Sequence, residues 1–207
     1  MIFARFASKC LALVLLGVSI SGSRAAESPV ISEFMALNVA THDAGDGQFE
    51  DWIELYNPLD SEYDLDGHFL TDDPENLRKW AFPGKSLAAG EYLLVIASGK
   101  DKKGLFDPVY HTNFTLNPGG GFLAFVAPDG ESILSGFLPE YPDQEKDISF
   151  GRPLDSDAEI QTLYFENPTP GGPNGEGASS LPERVADTRF SVDRGFYGSP
   201  VQLEIST

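Results

Sequence analysis

Turn-forming residues interrupt this chain at intervals too short for a stable helix. Its 207 residues include 21 Gly and 15 Pro, and the runs between them are apolar or alternating, with no sustained helical period. The sharpest signal is Phe122-Leu123-Ala124-Phe125-Val126-Ala127, then Pro128-Asp129-Gly130, then Glu131-Ser132-Ile133-Leu134. Pro presets the first turn residue, Asp caps it and Gly supplies a positive φ, so a hairpin is predicted. Val30 to Ala36, Asp51 to Tyr56 (closed by Asn57-Pro58), Tyr63 to Leu70 and Lys79 to Pro83 read as further strands. Glu91 to Ser98 is apolar on both alternating faces and predicts a strand in the middle of a sandwich. The strands and their spacing from residue 30 to about 165 predict an all-β sandwich, large enough to bury a core without disulfides.

The first 26 residues differ from the rest. Arg5 and Lys9 precede an apolar run from Leu11 to Ile20, and Ser23-Arg24-Ala25 forms a small-x-small cleavage signal. That pattern predicts a cleaved secretory signal peptide over 1–26, and the run is about half the ~20 residues a membrane span needs. The expected location is therefore extracytoplasmic, with no stable membrane anchor. The only cysteine, Cys10, lies in this segment and lacks a lipoprotein-type context, so neither a disulfide framework nor a Cys-based metal site is expected. Net charge is −18 for the whole chain. Residues 1–26 carry three basic groups and no acid, which leaves −21 for the remainder. So negative a surface repels phosphate backbones and argues against nucleic acid as a partner.

Ile31-Ser32-Glu33-Phe34-Met35-Ala36, followed by Glu50-Asp51-Trp52-Ile53-Glu54-Leu55-Tyr56-Asn57-Pro58, resembles the lamin tail domain. The likeness continues through Asp64-Leu65-Asp66-Gly67-His68-Phe69-Leu70-Thr71-Asp72-Asp73, Trp80-Ala81-Phe82-Pro83, Leu87-Ala88-Ala89-Gly90-Glu91-Tyr92-Leu93 and His111-Thr112-Asn113-Phe114-Thr115-Leu116. Ser149-Phe150-Gly151-Arg152 and Pro168-Thr169-Pro170-Gly171 close it. The resemblance covers about residues 29–174 and implies an immunoglobulin-like β-sandwich of the type found in secreted bacterial proteins. Trp52, Trp80, Phe82, Tyr92 and Phe114 are the side chains expected to bridge its two sheets. Arg152 is expected either to hold a carboxylate bidentately or to lie at the surface.

Residues 175–188 read as a linker rich in Gly, Ala, Ser and Pro. Residues 189–207, from Arg189-Phe190-Ser191-Val192 onward, resemble the start of a chitobiase/β-hexosaminidase C-terminal-like module. About 20 residues bury no core alone, so the chain is expected to be a fragment of a larger multidomain protein.

No catalytic motif is present. His42 and His111 are expected at the surface and His68 half-buried, in no metal-ligand spacing. Gly119-Gly120-Gly121 precedes a strand rather than a helix and predicts a tight turn, not a phosphate cradle. No residue is assigned a catalytic, cofactor-binding or metal role, and no cofactor is expected. The acidic loop Asp43 to Asp51 is the one segment that suits Ca²⁺, without matching a known calcium loop. Asp72-Asp73-Pro74 reads as a solvated turn, and Asn113-Phe114-Thr115 matches a short glycosylation sequon. The expectation is a non-catalytic secreted interaction or adhesion module, whose partner is a protein, a glycan or the cell envelope. The alternative is an accessory N-terminal domain of a secreted enzyme, such as a spore-coat-type kinase, nuclease or phosphoesterase. A nuclear lamina role would need a coiled-coil rod and a nuclear address, and the chain has a signal-like segment in place of both.

Overall fold

A computed structural model describes residues 27–45, 47–103, 109–153, 161–182, 189–192 and 195–206. The signal segment, Cys10, Asp46 and most of the second half of the expected linker lie outside the described residues. Every regular element among the described residues is a strand. In order these are β1 (Val30–Met35), β2 (Trp52–Tyr56), β3 (Tyr63–Asp64), β4 (Phe69–Thr71), β5 (Trp80–Ala81), β6 (Ser86–Leu87) and β7 (Tyr92–Ile96). There follow β8 (Tyr110–His111), β9 (Gly121–Val126), β10 (Ile133–Tyr141), β11 (Ser149–Gly151), β12 (Leu163–Phe165), β13 (Arg189–Phe190) and β14 (Ile205–Ser206). The larger sheet has the order β12-β11-β1-β2-β7-β8 and the smaller β10-β9-β4-β5. All their pairings are antiparallel except β7–β8. The two remaining pairs are β3–β6 and β13–β14.

The two sheets bury one apolar layer between them. Ile31, Phe34, Ile53, Leu55 and Val95 of the larger sheet meet Leu70, Trp80, Leu123, Phe125 and Phe137 of the smaller. Phe34 sits at the centre, with ring centroids 4.7 Å from Tyr141, 5.0 Å from Phe137 and 5.9 Å from Phe150. Each such side chain contributes about 1.5–3 kcal/mol by burial, and the edge-to-face geometry adds to it. The expected hairpin is β9–β10, with Ala127 N–H donating to Ser132 O and Gly130 at φ +69°. The triple glycine is a turn: Gly120 has φ +95°, and a Cβ there would lie 2.9 Å from the carbonyl oxygen of Tyr141.

A β-bulge in β1 sets the identity of its two faces. Ile31 pairs with Leu55 but Glu33 with Glu54, so the register shifts between them. An extra residue on one strand breaks the two-residue alternation. Ile31 and Phe34, three apart, both enter the core, while Ser32 and Glu33 lie outside it.

Five expectations are corrected. Trp52 does not bridge the sheets: it packs with Met35, Ala44 and Ile96 in a separate cluster on the other face of the larger sheet. Tyr92 is only half-buried and stacks on Tyr56, with centroids 4.5 Å apart. β7, in Glu91 to Ser98, lies second from an edge, and its two apolar faces serve these two separate clusters. His111, expected at the surface, is 2% exposed, and His68 is buried rather than half-buried, its ring stacked on Phe125.

Pairing continues past residue 174. Tyr164 and Ala178 exchange backbone hydrogen bonds of 2.8 and 2.9 Å, and Leu181 packs against the core. Gly177 permits this approach, since a Cβ there would lie 2.7 Å from the Phe165 ring. In the tail, β13 and β14 pair with each other and leave Phe190, Phe196, Tyr197, Val201, Leu203 and Ile205 exposed.

Candidate functional site

Glu33 and Glu54 stand opposite each other on β1 and β2, on the outer face of the larger sheet, and both are 0% exposed. Charged side chains are rarely buried unless partnered. The partners here come from three segments: β1 itself, β11 and residues 168–174. Ser32 Oγ donates to Glu54 Oε1 at 2.6 Å, and Gly171 N–H donates to Oε2 at 2.6 Å. Ser149 Oγ donates to Glu33 Oε1, and Thr169 N–H lies 3.3 Å from both Glu33 oxygens. Thr169 Oγ1 is 3.2 Å from Glu33 Oε2 and 3.1 Å from Asn174 Oδ1. Asn174 Nδ2 donates to the carbonyls of Ser32 (3.0 Å) and Arg152 (2.8 Å). The segment 168–174 is thus fastened over two carboxylates by side-chain and backbone bonds. Gly151 belongs to the same construction: a Cβ there would lie 2.2 Å from Ser32 O.

Burial raises the pKa of both groups. Glu54 is pushed up to about 7, with the Glu33 charge adding to desolvation and the Ser32, Gly171 and Gly172 bonds opposing it. Glu33 is raised by burial against the bonds from Ser149 and Thr169. The one hydroxyl proton of Thr169 cannot serve Glu33 and Asn174 together. Two carboxyls with raised pKa would suit general acid–base chemistry only if substrate could reach them. With no exposed surface and their oxygens engaged, they can hold the closing segment in place.

A second cluster contains Ser98, His111 and Glu50. Ser98 Oγ is 2.9 Å from His111 Nδ1, and Glu50 Oε2 is 3.7 Å from that same nitrogen. A nucleophile and its orienting acid must use opposite ring nitrogens, so Ser98 and Glu50, both on Nδ1, do not form such a relay with His111. Lys100 pairs with Glu50 at 2.8 Å. Beside it, Asp51 accepts backbone bonds from Asn38 and Leu116, and burial pushes its pKa up to about 6. In the acidic loop, Asp43 Oδ1 caps the N–H groups of Gly45 (2.7 Å) and Gly47 (2.9 Å). No group of three or more metal-ligating side chains is found among the described residues. His42 is half-buried.

Arg152 corrects both readings made for it. It neither holds a carboxylate nor lies free at the surface. Its guanidinium donates to Ile31 O (2.9 Å) and Gly136 O (2.5 Å) and lies 4.3 Å over the Phe137 ring. Asn57 was singled out only as a turn residue. It is fully buried, and its amide nitrogen lies 2.9–3.0 Å from the carbonyls of Ser61, Leu87 and Ala88. Neither Glu33 nor Glu54 was singled out from the sequence. The available signal was an acid flanked by apolar residues within a strand, in Ile31-Ser32-Glu33-Phe34 and Ile53-Glu54-Leu55.

The family model for the Lamin Tail Domain matches residues 23–135, more than half of the chain. The chain belongs to the lamin tail domain family. No curated protein and no solved structure matches it. Lamin tail domains are immunoglobulin-like modules and generally non-catalytic. The matched residues end inside β10. In this lamin tail domain, Ser149, Thr169, Gly171 and Asn174 all lie beyond them, yet they complete the site built on β1 and β2.

Proposed function

We propose that this chain is a non-catalytic, exported interaction or adhesion module, one part of a larger multidomain protein. The observation that carries this reading is the inward use of the motif residues. Glu33, Glu54, Ser149, Gly151, Thr169 and Asn174 bond or pack against one another, so these sequence blocks build a scaffold and leave recognition to its surface. The signal-like pattern at 1–26 supports export. The apolar residues displayed by 190–205 support a further β module continuing from β13 and β14. Its partner is a protein, a glycan or another envelope component.

The test is expression of the chain with its first 26 residues in a bacterial host, followed by fractionation and mass spectrometry of the N-terminus. A processed chain that washed envelope material binds saturably, with unchanged binding by Glu54→Gln, is the expected result. An unprocessed cytoplasmic chain overturns export. Substrate turnover abolished by Glu54→Gln overturns the non-catalytic reading.

A further inference from the structure

Beside β10 and β11 lies a cleft of about 290 Å³, lined among the described residues by Gly136, Leu138, Glu140, Pro142, Arg152 and Thr162 together with three aromatic side chains. Arg152 is its only cationic lining residue among these. Guanidinium carries five N–H donors, and two bonds, to Ile31 O and Gly136 O, are all it makes with the described residues. It forms no ion pair among the described residues, in a chain whose net charge is −18. Burial lowers its pKa, as for a cation held partly out of water without an anion among the described residues to offset it. Free donors in a planar fork match a carboxylate.

The remaining lining narrows the class. Phe137, Tyr141 and Phe150 are buried in the core, which leaves Leu138 and Pro142 as the other apolar residues of the lining, beside three polar side chains. Thr162 brings a hydroxyl and Glu140 an acceptor carboxylate, groups that suit a ligand bearing hydroxyls. The volume is at the small end for ligand sites and fits about one sugar ring. The net charge disfavours a polyanion, so the acid should be isolated rather than repeated. We propose that this cleft binds a single carboxylate-bearing sugar residue of a glycan. Arg152 takes the carboxylate, and Thr162 and Glu140 take hydroxyls. The proposal rests on the interaction-module reading and names one partner class for it.

Calorimetric and NMR titration of the full chain with sodium glucuronate tests this, with glucose, acetate and N-acetylphenylalanine as controls. Glucuronate should bind saturably, with a Kd on the order of 1 mM for one charge-assisted contact plus hydroxyl bonds, while glucose and acetate should not saturate. Thr162→Val and Glu140→Gln, each at an unchanged melting temperature, should weaken glucuronate about fivefold through one lost hydrogen bond. Arg152→Lys keeps the charge without the fork and should weaken it further. Acetate binding equal to glucuronate, tighter binding of N-acetylphenylalanine, or wild-type affinity in both rim variants overturns the proposal. So does an absence of glucuronate binding by the folded chain. Envelope binding that persists without glucuronate binding removes only the cleft assignment; glucuronate binding without envelope binding counts against the broader reading alone.

Discussion

The two faces of the β1–β2 pair are equally dry but are buried by different physics. The inner face presents Ile31, Phe34, Ile53 and Leu55 to the opposite sheet, where stabilisation follows apolar area and is indifferent to pH. The outer face presents Ser32, Glu33 and Glu54 to the 168–174 segment, which is fastened there by hydrogen bonds to carboxyl and backbone groups. Removing one atom inside leaves a void. Moving one proton outside changes the charge of a group that water cannot reach.

The largest expected effect lies on the inner face. Phe34→Ala should cost about 3–5 kcal/mol, measured by urea denaturation, with the same loss at pH 5 and pH 8. A pH-dependent loss would show that the two faces are coupled. On the outer face Glu54 should give the next largest effect. Its folded pKa of about 7 lies above the ordinary 4.5, so the folded state binds the proton more tightly than the unfolded chain. The stability it contributes is therefore complete below about pH 4.5 and is lost as pH rises through 7, to a total of about 3 kcal/mol. Asp51, raised from 3.8 to about 6, acts with the same sign over a lower and narrower window. Glu54→Gln should recover most of that loss at pH 8. Ser32 Oγ, 3.3 Å from Glu54 O, can redirect its proton there and accept from the new amide.

Asn174→Ala should cost about 1–3 kcal/mol, because it removes two hydrogen bonds, to the Arg152 carbonyl and to the Ser32 carbonyl, which keeps only the Arg152 N–H. Faster protease cleavage within 168–174 than in the wild type would locate the loss. Ser149→Ala should cost about 1 kcal/mol at pH 5, with one donor to Glu33 gone, read from the urea midpoint. A larger loss than Asn174→Ala would mean that the bond to Glu33, rather than those of Asn174, does most to hold the segment.

The inner face was legible in the sequence because apolar spacing and turn chemistry act locally. Pro128-Asp129-Gly130 specifies its hairpin whatever surrounds it. The outer face was not. Alternation alone would put Ile31 and Glu33 on one side; a bulge separates them, and it packs Ser32 against Gly151, more than a hundred residues away. Trp52 misled for a related reason: a large apolar side chain announces burial but not which face buries it, and the loop before β2 covers it from outside. Likewise, nothing local in Pro168-Thr169-Pro170-Gly171 reveals that its N–H groups end on two glutamates.

The central claim is that buried carboxyls hold the closing segment, and the stability profile of wild type and Glu54→Gln from pH 5 to 8 tests it most directly. The wild type should lose stability most steeply between about pH 5 and 6.5, between the unfolded and folded pKa values of Glu54, and level off above about pH 7.5, whereas Glu54→Gln should remain nearly flat above pH 6. Superimposable profiles would contradict the account.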